Sequence, residues 1–567
     1  MIREESNTKS QSRKVPKQRV GEATSLATLR LCPFALCCLC FCAWAPPKLN
    51  TFFPAGAQRG QAVTVTASGA FSNWPVKAWV DRPGVEVVAA EEKGKLTVRI
   101  ATDASPGTYW VRLYDQEGAT SPRPFVVGTL PEVLEAEPND DVKKPQVLGS
   151  STVVNGRLEK AGDVDAFAVQ LRKGQTLVAS LEANRSLGSA MDATLQIVSD
   201  TGFVLAQNDD YHDLDPQVVF TAPADATFLI RAFAFPAVAE SGIRFSGSPE
   251  FIYRLTITTG GFVEYAFPLA LSRGAPLKKS EAEQLVELRG WNIPELARQV
   301  AVAWPDDAEA VSAFHAEVAN TASISLEPHS TIVEHESNSM DSPQDIRLPV
   351  TISGRITGGD RDVFRFQCQK GDKLQFRADS RALGFPLDPF LRLTDESGMT
   401  LAEIDDSSGG RDSEINFTVP SDGPYRLIVR DLHGHGGDFF VYRLRAGYAV
   451  PDFELKLAAD SFVLTPGKPL EIPVAIERTN GFAGEIDIVV EGLTDCVSAV
   501  PAKSMPTGDS AKSVKLVVTS TAGSCGGSVR IVGRSAGDKP HVRNARAVLT
   551  GLGASTVNLW VTVLKVP

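Results

Sequence analysis

The chain has 567 residues, 43% hydrophobic and 22% charged, which predicts roughly three to five folded domains and excludes both a single core and a disordered chain. Its formal charge is −11, and the first 30 residues are basic, so the remainder is more acidic still. That sign excludes nucleic acid as a partner, because phosphate binding needs a basic footprint, and it suits calcium, which carboxylates hold.

At the N-terminus, Leu31 to Ala45 carry no charge, follow a basic leader and end in Ala43-Trp44-Ala45. The run is too short to span a bilayer comfortably and has the layout of a secretory signal. A long leader and Pro46 just beyond leave an uncleaved signal anchor, or a start codon placed too far upstream, as the alternatives. Residues 1–46 are therefore read as signal peptide or signal anchor, and the protein as exported: periplasmic, cell-surface or extracellular. No later stretch is long and apolar enough for a membrane helix. Five of the eight cysteines lie in this run. Of the other three, Cys496 and Cys525 are placed to pair in an oxidising compartment, leaving Cys368 unpaired in a strand pattern; the alternative is three buried, inert thiols.

Beyond the leader, the chain repeats itself. Glu135-Ala-Glu-Pro-Asn139 matches Glu334-His-Glu-Ser-Asn338, and Asn155-Gly-Arg-Leu158 matches Ser353-Gly-Arg-Ile356. Gly162-Asp-Val-Asp-Ala-Phe167 matches Gly359-Asp-Arg-Asp-Val-Phe364, and Phe251-Ile-Tyr-Arg-Leu255 matches Phe440-Val-Tyr-Arg-Leu444. The register holds except in the loop from Phe235 to Glu250, which is longer in the first copy. A second repeat precedes each copy: Phe53-Pro54 with Arg59-Gly60, then Phe267-Pro268 with Arg273-Gly274. The order predicted is a small β-domain (47–130), a larger module (131–262), a second small domain (263–330), a second module (331–450) and a C-terminal domain (451–567).

Nearly every segment reads as strand. Leu96-Thr-Val-Arg-Ile100, Phe364-Arg-Phe-Gln-Cys368 and Ile486-Asp-Ile-Val-Val490 alternate apolar and polar residues, and the 46 glycines and 36 prolines concentrate between such runs. Strict alternation buries one face and wets the other, so the fold class expected is all-β, in multidomain antiparallel β-sandwiches. A short helix is expected only near Ser280 to Leu288 or Pro294 to Val300.

On the motifs quoted, the two larger modules resemble the bacterial pre-peptidase C-terminal domain. That resemblance implies two jelly-roll modules, similar in fold to the collagen-binding domains of clostridial collagenases. The small domains and the C-terminal domain resemble immunoglobulin-like modules, which would interleave with the jelly rolls.

Alternate spacing puts Glu135, Glu137 and Asn139 on one side of an extended chain, with Asp140 beside them. Asp163 and Asp165 share that spacing at a turn. If the two segments face each other, five or six oxygens converge, as calcium requires. In the second copy the matching residues are Glu334, Glu336, Asn338, Asp360 and Asp362, with Ser339 where the first copy has Asp140. The resemblance likewise implies calcium ligation by these residues. The alternative is that they cap turns and coat a soluble surface. Asn208-Asp-Asp-Tyr-His-Asp-Leu-Asp215 and its counterpart Asp405-Asp406 read as solvated hairpins.

No catalytic motif is found: there is no Gly-x-Ser-x-Gly and no His-Glu-x-x-His, and His433-Gly-His435 falls in a predicted hairpin. The favoured function is an exported, non-catalytic binding or scaffold protein engaging an extracellular polymer, a surface or a protein, with Tyr211 and the stretch Phe233 to Phe245 as candidate contact surfaces. The alternatives are a protein related or accessory to secreted subtilase-type serine proteases, and a plain structural spacer.

Overall fold

The computed structural model describes residues 45–565 apart from 237–243, 275–283, 306–307, 408–409, 521–522 and 538–539. The expected signal or anchor therefore lies outside the described residues, save for its last two. From Ala45 onward the chain packs as one compact unit, and its regular structure is almost all strand. The fold is all-β. Among the described residues, no helix is long and apolar enough to cross a membrane.

Each larger module is a pair of five-stranded sheets. In the first, one sheet runs Glu132–Leu134, Ser151–Arg157, Ile252–Thr258, Thr176–Glu182, Gln217–Thr221; the other runs Gln146–Val147, Asp165–Leu171, Ala226–Pro236, Met191–Ser199, Val204–Asn208. The second module repeats both orders strand for strand, from Ser330–Val333 to Ser413–Thr418 and from Gln344–Asp345 to Thr400–Ile404. The inward residues of each sheet pair close a core, around Phe167, Leu195, Ile230 and Tyr253 in one case and Phe364, Phe376, Leu427 and Tyr442 in the other.

The central strands pair antiparallel, as alternation predicts. The two leading strands of each module are the exception: Glu132–Leu134 lies parallel to Ser151–Arg157, and Gln146–Val147 parallel to Asp165–Leu171. The lead-in chain thus runs along the edge of one sheet, crosses, and joins the edge of the other. Its acidic residues, 135–140, sit in the crossing. This places them beside the turn that opens Asp165–Leu171.

The small sandwich before each module also repeats. The first stacks Lys48–Phe53, Ala62–Ala70, Lys95–Ile100, Val85–Ala89 on Gly56–Gln58, Arg123–Gly128, Gly107–Tyr114, Lys77–Val80. The second keeps the same order without the two outermost strands. Phe53-Pro54 and Phe267-Pro268 mark the step from one sheet to the other. Gly69 and Gly290 explain another shared residue: a Cβ there would stand 2.0 Å from the Lys48 carbonyl oxygen and 2.1 Å from that of Phe262.

The helix expected near Ser280 to Leu288 is not formed over its described part. Gln284–Trp291 is a strand, paired with Phe262–Phe267, and it buries Val286 and Leu288 while Leu285 points outward. A partner strand with the right alternation outweighs the helical propensity of Glu and Leu. Near Pro294 only a single 3-10 turn, Glu295–Ala297, appears.

In the C-terminal sandwich Cys496 and Cys525 are joined as a disulfide, with Cα atoms 6.7 Å apart. Cys368 is buried and free. The N-terminal sandwich packs against this C-terminal one through Arg112, fully buried, whose guanidinium meets Asp460 at 2.7 Å and donates to the carbonyl oxygens of Thr120 and Asn558.

Candidate metal centre

The site is built from the crossing segment, the Gly-Asp-x-Asp turn and one tyrosine. In the first module Glu135 leaves its strand with its N–H bonded to the Asn155 carbonyl (3.1 Å). Its carboxylate turns under the sheet, where Oε2 accepts from the Arg157 N–H at 2.7 Å and from the Tyr253 hydroxyl at 3.3 Å. The same hydroxyl donates to Asp165 Oδ2. Gly156 sits opposite Tyr253 in the register, and a Cβ there would lie 2.1 Å from the tyrosine ring and 2.6 Å from Glu135 Oε2. The Gly-Arg pair of the repeat thereby has a physical meaning: the glycine leaves room for the ring and carboxylate, and the arginine supplies a backbone donor.

Above this buried layer lies a second one. Glu137, Asp140 and Asp163 each bring a carboxylate oxygen within 4.8 Å of the others. Asn139 is buried between the layers; its amide lies 2.9 Å from Asp165 Oδ1 and 3.3 Å from Glu137 Oε2. With the nitrogen turned inward these are hydrogen bonds. With the oxygen inward the amide adds a fourth oxygen to the cluster. The Asn139 backbone carbonyl accepts from the Ala166 N–H, fixing the crossing segment to the turn. Asp163 Oδ2 accepts from the Glu159 N–H at 2.6 Å, whereas its Oδ1 is buried without a hydrogen-bond partner.

The second module reproduces the buried layer. The Arg355 N–H donates to Glu334 at 2.7 Å, and the Tyr442 hydroxyl faces both Glu334 (3.2 Å) and Asp362 over Gly354. Its upper cluster is Glu336, Asp360 and Asp362. Ser339 is exposed and brings no carboxylate. Three buried polar atoms lack partners here: both amide atoms of Asn338 and Asp362 Oδ1.

Burial is the main force on these acids, and their mutual repulsion adds to it. Asp163 is pushed up to about 6 by burial, the contact with Asp140 and the charge of Glu137. Glu135 is raised by burial and by the charge of Asp165, and Asp165 by burial and by the charge of Asp163. Asp362 and Glu334 are raised likewise, mainly by burial. Tyr253 and Tyr442 are held well above the ordinary phenol range by burial beside carboxylates, so they act as donors. Carboxylates this close cannot all stay charged and unpaired. Either some keep a proton, or a cation stands among them; the donor set is all oxygen, which suits a hard, geometrically tolerant ion such as calcium.

All eleven residues singled out in the sequence lie at these two places. Glu135 and Glu334 belong to the buried layer rather than the open cluster. Tyr253 and Tyr442, part of the repeated motif but given no role from sequence, prove central. Their recurrence as Tyr-Arg-Leu in the closing strand of both copies was the available signal.

Residues 360–431 match the bacterial pre-peptidase C-terminal domain. The match begins at Asp360, so it includes both aspartates of the Gly-Asp-x-Asp turn but not Gly359, the crossing segment or Tyr442. A probable subtilase-type serine protease of Deinococcus radiodurans is 47% identical over 77 residues, which is 13% of this chain and 10% of that protein. The pre-peptidase C-terminal domain of a Bacillus anthracis collagenase aligns with 25% identity over 18% of this chain and 92% of its own, with a TM-score of 0.16. A periplasmic inhibitor of g-type lysozyme from Aeromonas hydrophila aligns at 14% identity over 22% of this chain and 97% of its own, TM-score 0.15. No catalytic family is indicated by these matches.

Asp209 and Asp210 are exposed, but Asp215 is not part of a solvated hairpin: it is buried and accepts from the Asn184 and Arg185 N–H groups. Asp412 does the same in the second module for Ser380, Arg381 and Ala382. His433 and His435 are exposed, with Asp431 accepting from their backbone N–H groups. Within Phe233 to Phe245, residues 237–243 lie outside the described residues; Phe233, Phe235 and Phe245 cluster, the closest ring centroids 4.5 Å apart.

Proposed function

We propose that this is an exported, non-catalytic binding protein whose two larger modules, both of the pre-peptidase C-terminal kind, are stabilised by calcium and engage an extracellular polymer, surface or protein. The observation that carries the reading is the double convergence of acids: Glu137, Asp140 and Asp163 in one module, Glu336, Asp360 and Asp362 in the other, each beside a tyrosine-bound carboxyl pair, of which Asp362 is also a member in the second. Asn139 and Asn338 would supply amide oxygens. Calcium there would satisfy the unpartnered oxygens of Asp163, Asp362 and Asn338 and cancel the repulsion that raises the acids. The first module, which has Asp140 as an additional ligand, would bind more tightly than the second. The equivalence of strand orders supports treating both modules alike, and small immunoglobulin-like sandwiches would space them.

The test is a thermal melt and a calorimetric titration of the full chain in calcium and in chelator. Binding at about 100 times the dissociation constant stabilises by roughly 2.7 kcal/mol, which is several degrees for a domain of this size. Two sites of unequal affinity are expected, in the range of roughly 10⁻⁴–10⁻³ M typical of extracellular modules. An unchanged melt would remove the ion. The segment shared with a probable subtilase-type protease favours a second reading, an accessory of secreted proteolysis. Zymography with a serine-directed inhibitor separates the two, since inhibitor-sensitive turnover by the purified chain would displace the first.

A further inference from the structure

A cleft of about 1590 Å³ opens between the two larger modules. One wall is the loop holding Asp210, Tyr211 and His212 in the first module. The other is the second module's outer sheet face, at Arg377, Glu414 and Asn416, with the turn around Arg381 and Phe385. Trp291 of the small sandwich between them completes the lining. It exceeds the roughly 300–1,000 Å³ of small-molecule pockets, so a segment of polymer fits it better than a metabolite.

Its chemistry is mixed and balanced. Arg185, Arg377, Arg381 and Arg411 face Asp210, Asp213, Asp412, Glu414 and Asp438, leaving no strong field of either sign to collect a polyanion. Arg377 is engaged by Asp379 and Glu414. Arg185, Arg381 and Arg411 are exposed and form no ion pair among the described residues. The aromatic rings are pre-positioned: Trp291 donates to Glu264 at 2.8 Å and packs on Phe439 at 5.4 Å between centroids, and Tyr211 lies edge-on to His212 at 4.7 Å. His212 Nδ1 is buried without a partner on this wall.

We infer that this cleft is a binding site for a segment of neutral polysaccharide. Planar guanidinium and carboxylate groups match pairs of adjacent sugar hydroxyls. Flat ring faces match the C–H faces of pyranose rings. Phe385, Pro386, Ile404 and Phe439 add apolar surface to the lining, so a polypeptide is the competing occupant, and the gelatin arm of the test decides between the two. The inference rests on the reading of this chain as a binding protein and names the ligand class of a site made by both modules together.

The test uses the full chain in saturating calcium, titrated with cellohexaose, N-acetylchitohexaose and mannohexaose, with polygalacturonate and gelatin as comparators, followed by calorimetry and tryptophan fluorescence. Saturable binding of a neutral oligosaccharide is expected, weakened about tenfold, or roughly 1.4 kcal/mol, by Tyr211→Ala and by Arg381→Ala without a change in melting temperature. Should Tyr211→Ala misfold, Arg411→Ala at the exposed rim replaces it. Binding confined to polygalacturonate or gelatin, no binding at all, or binding indifferent to these variants would overturn the inference. Gelatin retention insensitive to the cleft variants would leave the binding reading standing without this site. Glycan binding in a chain that ignores calcium would leave the site standing without the ion.

Discussion

Tyr253 and Gly156 show how single residues set the site. Tyr253→Phe removes the one hydroxyl that serves both Glu135 and Asp165; Glu135 keeps the Arg157 N–H, but the buried Asp165 Oδ2 loses its donor. The expected cost is about 1–3 kcal/mol by denaturant unfolding. Gly156→Ala forces a methyl into the tyrosine ring and should cost at least about 1–3 kcal/mol by overpacking, with weaker calcium response as the separate readout.

The titration of the acids has a definite sign. A carboxyl whose folded pKa is raised binds its proton more tightly when folded. Its contribution is therefore complete below the ordinary carboxylate range and is lost as pH rises through the folded value. For Asp163 that value is about 6, and for Asp362 about 9. In chelator, the melting temperature should fall as pH goes from about 5 to about 8. Millimolar calcium should flatten the fall, because the ion takes over from the proton, and binding near pH 6 should release protons measurable by calorimetry in buffers of different ionisation enthalpy.

At the scale of elements, the alternation rule predicted the strands well because most have one wet face: Leu470–Thr479 buries Ile472, Val474 and Ile476 and exposes Glu471, Ala475 and Glu477. It failed at Gln284–Trp291, where the local composition of Glu, Gln and Leu suits a helix and only the neighbouring strand decides otherwise. It also missed the parallel pairing of the leading strands, since direction leaves no mark in a two-residue strand such as Gln146–Val147. The disulfide is a matter for this scale as well. Cys496 and Cys525 close a loop of 29 residues, and in the chain-entropy model that contributes roughly 3–4 kcal/mol. Cys496→Ser with Cys525→Ser should lower the melting temperature of the C-terminal sandwich and abolish its sensitivity to dithiothreitol. An unchanged melt would mean the loop is already held by its sheet.

Across the whole molecule, Arg112 is the clearest long-range device. It is fully buried, and its partner Asp460 lies more than three hundred residues away, on another sandwich. Asp460→Ala would strand a buried cation, at a cost of about 3–5 kcal/mol, whereas replacing both partners by apolar residues should cost much less. Small-angle scattering of the single variant should report a larger radius if this contact holds the two terminal sandwiches together.

The repeats, the all-β class and the identity of the clustered acids were readable in the linear chain, because each is a periodicity or a motif that survives without contacts. The layering of those acids was not. Which carboxylate joins the tyrosine and which joins the open cluster depends on where the crossing segment meets the turn. The cleft walled by both modules and the pairing of Arg112 with Asp460 belong to the same class. They exist only because distant stretches pack together, and local pattern holds no record of which surfaces will meet.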